Sequence, residues 1–116
     1  MQILTILACV AAIVAGQLLF KLVAIELGAQ NLMALATSPK AAFLLGVALL
    51  LYAAATFAWV WVLQGAPLSR AYSFMSLSFV AVPILAAMFL GETLSIRAAA
   101  GTALIVAGIL VSASEL

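Results

Sequence analysis

Four stretches of the chain, Ile3–Leu22, Ala41–Leu63, Ala71–Leu90 and Ile96–Ser112, are almost continuously apolar, each with at most one charged residue, at its edge. A hydrocarbon core of about 30 Å is crossed by roughly 17 to 25 mostly apolar helical residues, so each stretch is long enough to span it. Inside the bilayer every backbone N–H and C=O must find its partner within the segment, and runs of this length satisfy that condition as α-helices. The expected fold is therefore all-α, an integral membrane bundle of four transmembrane helices forming one domain over residues 1–116.

Local chemistry agrees with these limits. Ser38-Pro39 supplies an N-cap and an N1 proline for the second helix, Pro67 falls at the entry to the third, and Ser95 can cap the fourth. Gly28 to Ser38 is the one long connection, whereas Gln64–Arg70 and Gly91–Ser95 are so short that successive helices must be antiparallel neighbours. The sequence has no solenoid repeat and no low-complexity tract, although a chain of this size can be half of a symmetric assembly. The first run has no basic n-region and stays apolar as far as Lys21, so it is read as a retained helix and not as a signal peptide.

Composition narrows the function. With 70% hydrophobic and 6% charged residues and a net charge of +1, there is no basic field to hold nucleic acid, and membrane lipids are the expected surroundings. Histidine is absent and Cys9 is the only cysteine, which removes the commonest general base, an internal disulfide and any thiol cluster. No catalytic residue, metal or cofactor is expected.

If the first helix starts on side A, then Lys21, Lys40 and Arg97 lie on side B, and Arg70 and the terminal amine lie on side A. The positive-inside rule makes side B cytoplasmic and places both termini outside. So few flanking charges also permit insertion in both senses, as an antiparallel dimer from one gene would require.

Each polar group in so apolar a chain is informative, because ionisable groups at membrane depth are costly. Gln17 and Lys21, spaced i, i+4, share one face of the first helix. They can hold a phosphate or a sugar hydroxyl; alternatively Lys21 snorkels to headgroups while Gln17 bonds a neighbouring helix. Ala12 and Gly16 form a small-xxx-small pair suited to helix packing. Arg70 opens the third helix, where free N–H groups favour an anion, and it can bind a substrate phosphate or a lipid headgroup. Tyr72, Ser73 and Ser76 follow as a hydroxyl stripe that either lines a polar cavity or back-bonds to its own helix. Pro83 frees the carbonyl of Phe79 and marks a hinge candidate. Glu92 and Arg97 flank the last turn and are expected to form an interfacial ion pair, with Lys21 within reach on the same side. Gly101 and Gly108, one heptad apart, place small residues on a stripe of the fourth helix suited to a dimer interface. Trp59 and Trp61 in the second helix read as an interfacial belt, with Tyr52 further along it.

The segments Ala15-Gly16-Gln17-Leu18-Leu19-Phe20-Lys21 and Val62-Leu63-Gln64, with Pro67, Ala71-Tyr72, Ser76-Leu77, Phe79-Val80, Glu92, Ser95, Arg97, Gly101 and Gly108, resemble the four-helix branch of the drug/metabolite transporter superfamily. Within it the chain resembles the subunits of the aminoarabinose-phosphoundecaprenol flippase, ArnE and ArnF, more than the small multidrug exporters. Those exporters carry a proton-exchanging glutamate three residues before the glycine, where this chain has Ile13, and an aromatic drug contact where it has Met75. The resemblance implies a homodimer or a heterodimer with a similar small subunit. Its implied substrate is a lipid-linked sugar phosphate moved across a bacterial inner membrane in lipopolysaccharide biosynthesis. Lys21, Gln17, Arg70, Tyr72 and Ser76 are then the substrate-binding candidates. Arg70, Pro83 and Ser78, the last standing where the flippase subunits have Asn, depart from the pattern and leave the sugar open. Two other readings stay open: an exporter of small polar or cationic compounds, which needs Glu26 or Glu92 in its pore, and a non-transporting scaffold for a glycosyltransferase.

Overall fold

The computed structural model describes residues 2–113, so residue 1, with its amine, and residues 114–116 of the expected domain lie outside the described residues. It is all-helical: α1 (Gln2–Leu27), a 3-10 turn (Leu32–Ala36), α2 (Pro39–Gly65), α3 (Leu68–Met75), α4 (Ser78–Phe89) and α5 (Ile96–Ala113). Three spans, Ile3–Leu27, Pro39–Gly65 and Leu68–Phe89, are long and apolar enough to cross a membrane, and Ile96–Ser112 is a shorter apolar helix.

The helix ends are set by local chemistry. Gly28 adopts φ +58° and stops α1, a left-handed conformation that a side chain resists. Ser38 caps α2 by accepting from the Ala41 N–H at 3.3 Å, and Ser95 caps α5 by accepting from the Ala98 N–H at 3.1 Å. Gly91, at φ +70°, ends α4, where the Leu90 and Glu92 N–H groups both return to the Ala86 carbonyl.

The third span begins earlier than the expected 71–90 and is not continuous. It breaks at Ser76–Leu77, ahead of Pro83, which lies inside α4. At the break the ladder tightens to i−3 bonds, from Leu77 to Phe74, Phe79 to Ser76 and Val80 to Leu77. The hydroxyls of Ser73, Ser76 and Ser78 donate to the carbonyls of Ser69, Ser73 and Met75. Such back-bonding competes for carbonyls that the helix would use and bends it.

α1 and α2 form the closest pair. The buried face of α2 is Ala41, Ala48, Ala55 and Val62, a strict seven-residue repeat, and α1 buries Cys9, Gly16 and Val23 at the same spacing, with Cys9 against Ala55, Val23 in one cluster with Ala41, and Gly16 against Tyr52. The Cys9 thiol donates to the Ala55 carbonyl at 3.8 Å across this seam. Two apolar clusters flank it. Ile6, Val10, Val14, Val62 and Ala71 pack toward side A, and Val23, Leu27 and Ala41 toward side B. Tyr52, opposite Gly16, lies between them. α5 leans on α3 and α4 and leaves most of its surface uncovered.

On side B, Lys40 pairs with Glu26 at 3.7 Å and Lys21 with Glu92 at 3.8 Å. The expected Glu92–Arg97 pair is therefore corrected: the carboxylate turns to α1, and Arg97 forms no ion pair among the described residues. Capping by Ser95 starts α5 immediately, and Gly91 directs the chain so that Glu92 passes Lys21.

The side B grouping of Lys21, Lys40 and Arg97 carries a topology prediction. Single cysteines at positions 40 and 97 should react with an impermeant thiol reagent only from the cytoplasm, and one at position 70 only from outside, in a background where Cys9 is replaced. Labelling of every position from both faces would show dual insertion.

Candidate functional site

At the level of Gly16 the helices part around a cleft of about 400 Å³ bounded by α1, α2, α3 and α4. α1 contributes Ile13 and Gln17; α2 contributes Tyr52, Thr56 and Trp59; the broken third span contributes Tyr72, Met75 and Ser78. Its polar centre is built on α2. Gln17 Nε2 donates to Tyr52 Oη at 2.6 Å, the Tyr52 ring stacks on Phe20 at a centroid distance of 5.2 Å and 16°, and Thr56 Oγ1 donates to the Tyr52 carbonyl at 2.7 Å. Gly16 makes this possible, since a Cβ there would lie 2.8 Å from Tyr52 Cδ2 and closer still to Cε2.

No charged side chain lines the cleft. It offers the free amide oxygen of Gln17, phenol and alcohol oxygens, and aromatic faces, a lining for a neutral polar group with an apolar face. Lys21 sits a turn closer to side B, outside the lining, with its ammonium half-exposed beside Glu92. Ile13 and Met75, the positions at which the sequence departs from the multidrug exporters, both face the cleft, so it holds no carboxylate to exchange protons.

The five substrate-binding candidates are thus distributed. Gln17 and Tyr72 line the cleft. Tyr72 also lines a second groove of about 390 Å³ between α3 and α5, and Ser76 lines that groove alone. Lys21 stands at the side B rim, and Arg70 is exposed in the first turn of α3, lining neither space. Sequence reasoning missed Tyr52, Thr56, Trp59 and Ser78 as a lining. The signal was present for α2, where residues 52, 56 and 59 fall on one helical face, but Trp59 also fits an interfacial belt. Among the described residues nothing lies within 4 Å of where a Cβ would stand at Gly101 or Gly108, and Gly108 also lines the α3–α5 groove. Among the described residues no cluster of metal-ligating side chains occurs.

The family model that matches the chain is the EamA-like transporter family, over residues 2–114. A probable 4-amino-4-deoxy-L-arabinose-phosphoundecaprenol flippase subunit ArnE of Sodalis glossinidius is 42% identical over 66 residues, 57% of this chain and 60% of the relative. The ArnE of Erwinia tasmaniensis is 43% identical over 70 residues, 60% of this chain and 65% of the relative. A probable ArnF subunit of the same flippase, from Pseudomonas aeruginosa, is 42% identical over 77 residues, 63% of this chain and 56% of that relative. The chain therefore spans less than two thirds of the length of these relatives. No solved structure matches.

Proposed function

The chain belongs to the EamA-like transporter family, within the drug/metabolite transporter superfamily, and from that premise we propose that it is a flippase subunit for a polyprenyl-phosphate-linked sugar in a bacterial inner membrane. It is a multi-pass membrane transporter and not an enzyme. The observation that carries the finer reading is an uncharged, hydrogen-bonding cleft at membrane depth with a cation one turn away at its side B rim. A sugar ring presents hydroxyls to Gln17 and Tyr52 and an apolar face to Trp59, while its phosphate meets Lys21 and the prenyl chain stays in lipid. The relatives, named as subunits of an aminoarabinose-phosphoundecaprenol flippase, support the substrate class.

One chain encloses little space, and the open stripe of Gly101 and Gly108 on α5 suits close approach by a second small subunit, the same chain or a similar one. Pro83 and the break at Ser76–Leu77 are where the third span would bend during transport. A cation exporter fits less well, since Glu26 and Glu92 are both paired with lysines outside the cleft.

The test uses purified protein in nanodiscs. Undecaprenyl phosphate carrying 4-amino-4-deoxy-L-arabinose should raise the melting temperature more than undecaprenyl phosphate alone, and reconstituted protein should move the sugar-bearing lipid between leaflets. Stabilisation by tetraphenylphosphonium and by neither lipid would support the exporter instead.

A further inference from the structure

The groove between α3 and α5 has a chemistry of its own. Ser69, Tyr72, Ser73 and Ser76 share one face of the third span, and Ser112 in the last turns of α5 closes the groove opposite them. Hydroxyls at membrane depth are costly when they face only hydrocarbon, and the groove gathers five, four on the third span and one on α5. Two of them have their protons committed: Ser73 Oγ donates to the Ser69 carbonyl at 2.9 Å and Ser76 Oγ to the Ser73 carbonyl. Their remaining lone pairs can only accept. The hydroxyls of Ser69 and Ser112 have no partner among the described residues.

From this lining we infer that the α3–α5 groove is a second headgroup subsite on the side A half of the path, taking a hydroxyl-rich headgroup that both donates and accepts hydrogen bonds. The inference rests on the flippase reading and adds where the sugar goes after the cleft. An anion is a poor occupant, because no cation lines the groove. A sugar or other polyol matches it, since its hydroxyls both donate to the Ser73 and Ser76 oxygens and accept from Ser69, Tyr72 and Ser112. Ser69 lies in the first turn of α3 and Ser112 near the end of α5, both at side A, while Ser76 marks the break in the third span. The groove therefore leads from the interior to the outer face.

Tyr72 joins the two spaces. It lines the cleft and the groove and is 57% exposed, so its phenol is the partition between them. Rotamer changes of exposed side chains occur within nanoseconds, so the ring can swing between the two spaces on that timescale.

The experiment compares two lipids, undecaprenyl phosphate with and without 4-amino-4-deoxy-L-arabinose, binding to the full chain in nanodiscs. The double variant Ser69→Ala/Ser112→Ala removes two hydroxyls that bond no described residue, so its melting temperature should stay at the wild-type value. Its preference for the sugar-bearing lipid should fall about tenfold, the equivalent of two modest neutral hydrogen bonds, with affinity for the bare lipid unchanged. Ile105→Phe, which fills the groove from α5, should lower the same preference. Wild-type preference in both variants would overturn the groove while leaving the cleft as the sugar site. Failure of the wild type to bind either lipid would overturn the flippase reading and the groove with it.

Discussion

Lys21→Met should abolish transport of the lipid-linked sugar while leaving insertion and folding close to wild type. The two halves of this expectation follow from different magnitudes. Lys21 meets Glu92 at 3.8 Å with both side chains about half exposed, 51% and 47%, and exposed pairs of this kind contribute about 1 kcal/mol at most. Loss of the ammonium therefore costs little stability. In the proposed complex with a lipid-linked sugar the same ammonium would face the phosphate, where a charge-assisted bond contributes about 1.5 to 3 kcal/mol. Its removal also leaves Glu92 uncompensated beside the anion. Binding should fall by roughly two orders of magnitude or more. Lys21→Arg keeps the charge and should retain part of the activity, and Glu92→Gln, which removes a competitor for Lys21, should not weaken phosphate binding. The readout is accessibility of the sugar on the outer face in cells expressing each variant at matched levels. Undiminished transport by Lys21→Met would remove Lys21 from the mechanism and leave Arg70 as the remaining phosphate candidate.

Gly16→Ala should produce a large structural effect for a single added methyl group. The new Cβ would stand 2.8 Å from Tyr52 Cδ2 and nearer to Cε2, and the ring cannot retreat freely, because Phe20 stacks on it and Gln17 holds its hydroxyl. Overpacking of this kind costs about 1 to 3 kcal/mol. Relief by rotation of Tyr52 breaks the Gln17 bond and deforms the cleft, so transport should fall even where the protein survives. Gly46→Ala is the control, since nothing lies within 4 Å of a Cβ there. Melting temperatures in detergent should separate the two, and Tyr52→Ala should suppress the Gly16→Ala defect in a double-mutant cycle. Equal stability of both glycine variants would mean that α1 and α2 are not this close.

Much of the architecture was legible in the residues because bilayer thickness and capping act locally. Apolar length placed the helices, Ser38-Pro39 and Ser95 started two of them, and short connections forced neighbours to be antiparallel. Gly16 was recognisable as a packing glycine, and Gln17 and Lys21 as two polar groups on one face. Ile13 was recognisable as a missing carboxylate, and it does line the cleft. Apart from Ile13, which is read through the family resemblance, these inferences need only composition, spacing and the rise of a helix.

The rotation of each helix about its axis was not legible. In water an amphipathic face tells a helix which side to bury, but α1, α2 and α4 are apolar on nearly every face and lipid is as apolar as a protein core, so hydropathy cannot separate inside from outside there. Only packing shape decides: a seven-residue repeat of Ala41, Ala48, Ala55 and Val62 that fits against Cys9, Gly16 and Val23. That fit turns Tyr52 and Trp59 toward Gln17, and it sets α1 so that Lys21 reaches Glu92 and leaves Arg97 without it. Sequence determined that the chain spans a membrane and which few groups could do chemistry there. Tertiary structure decided which of those groups meet, because in a nearly uniform apolar solvent van der Waals fit between neighbouring helices is what remains to choose their facing sides.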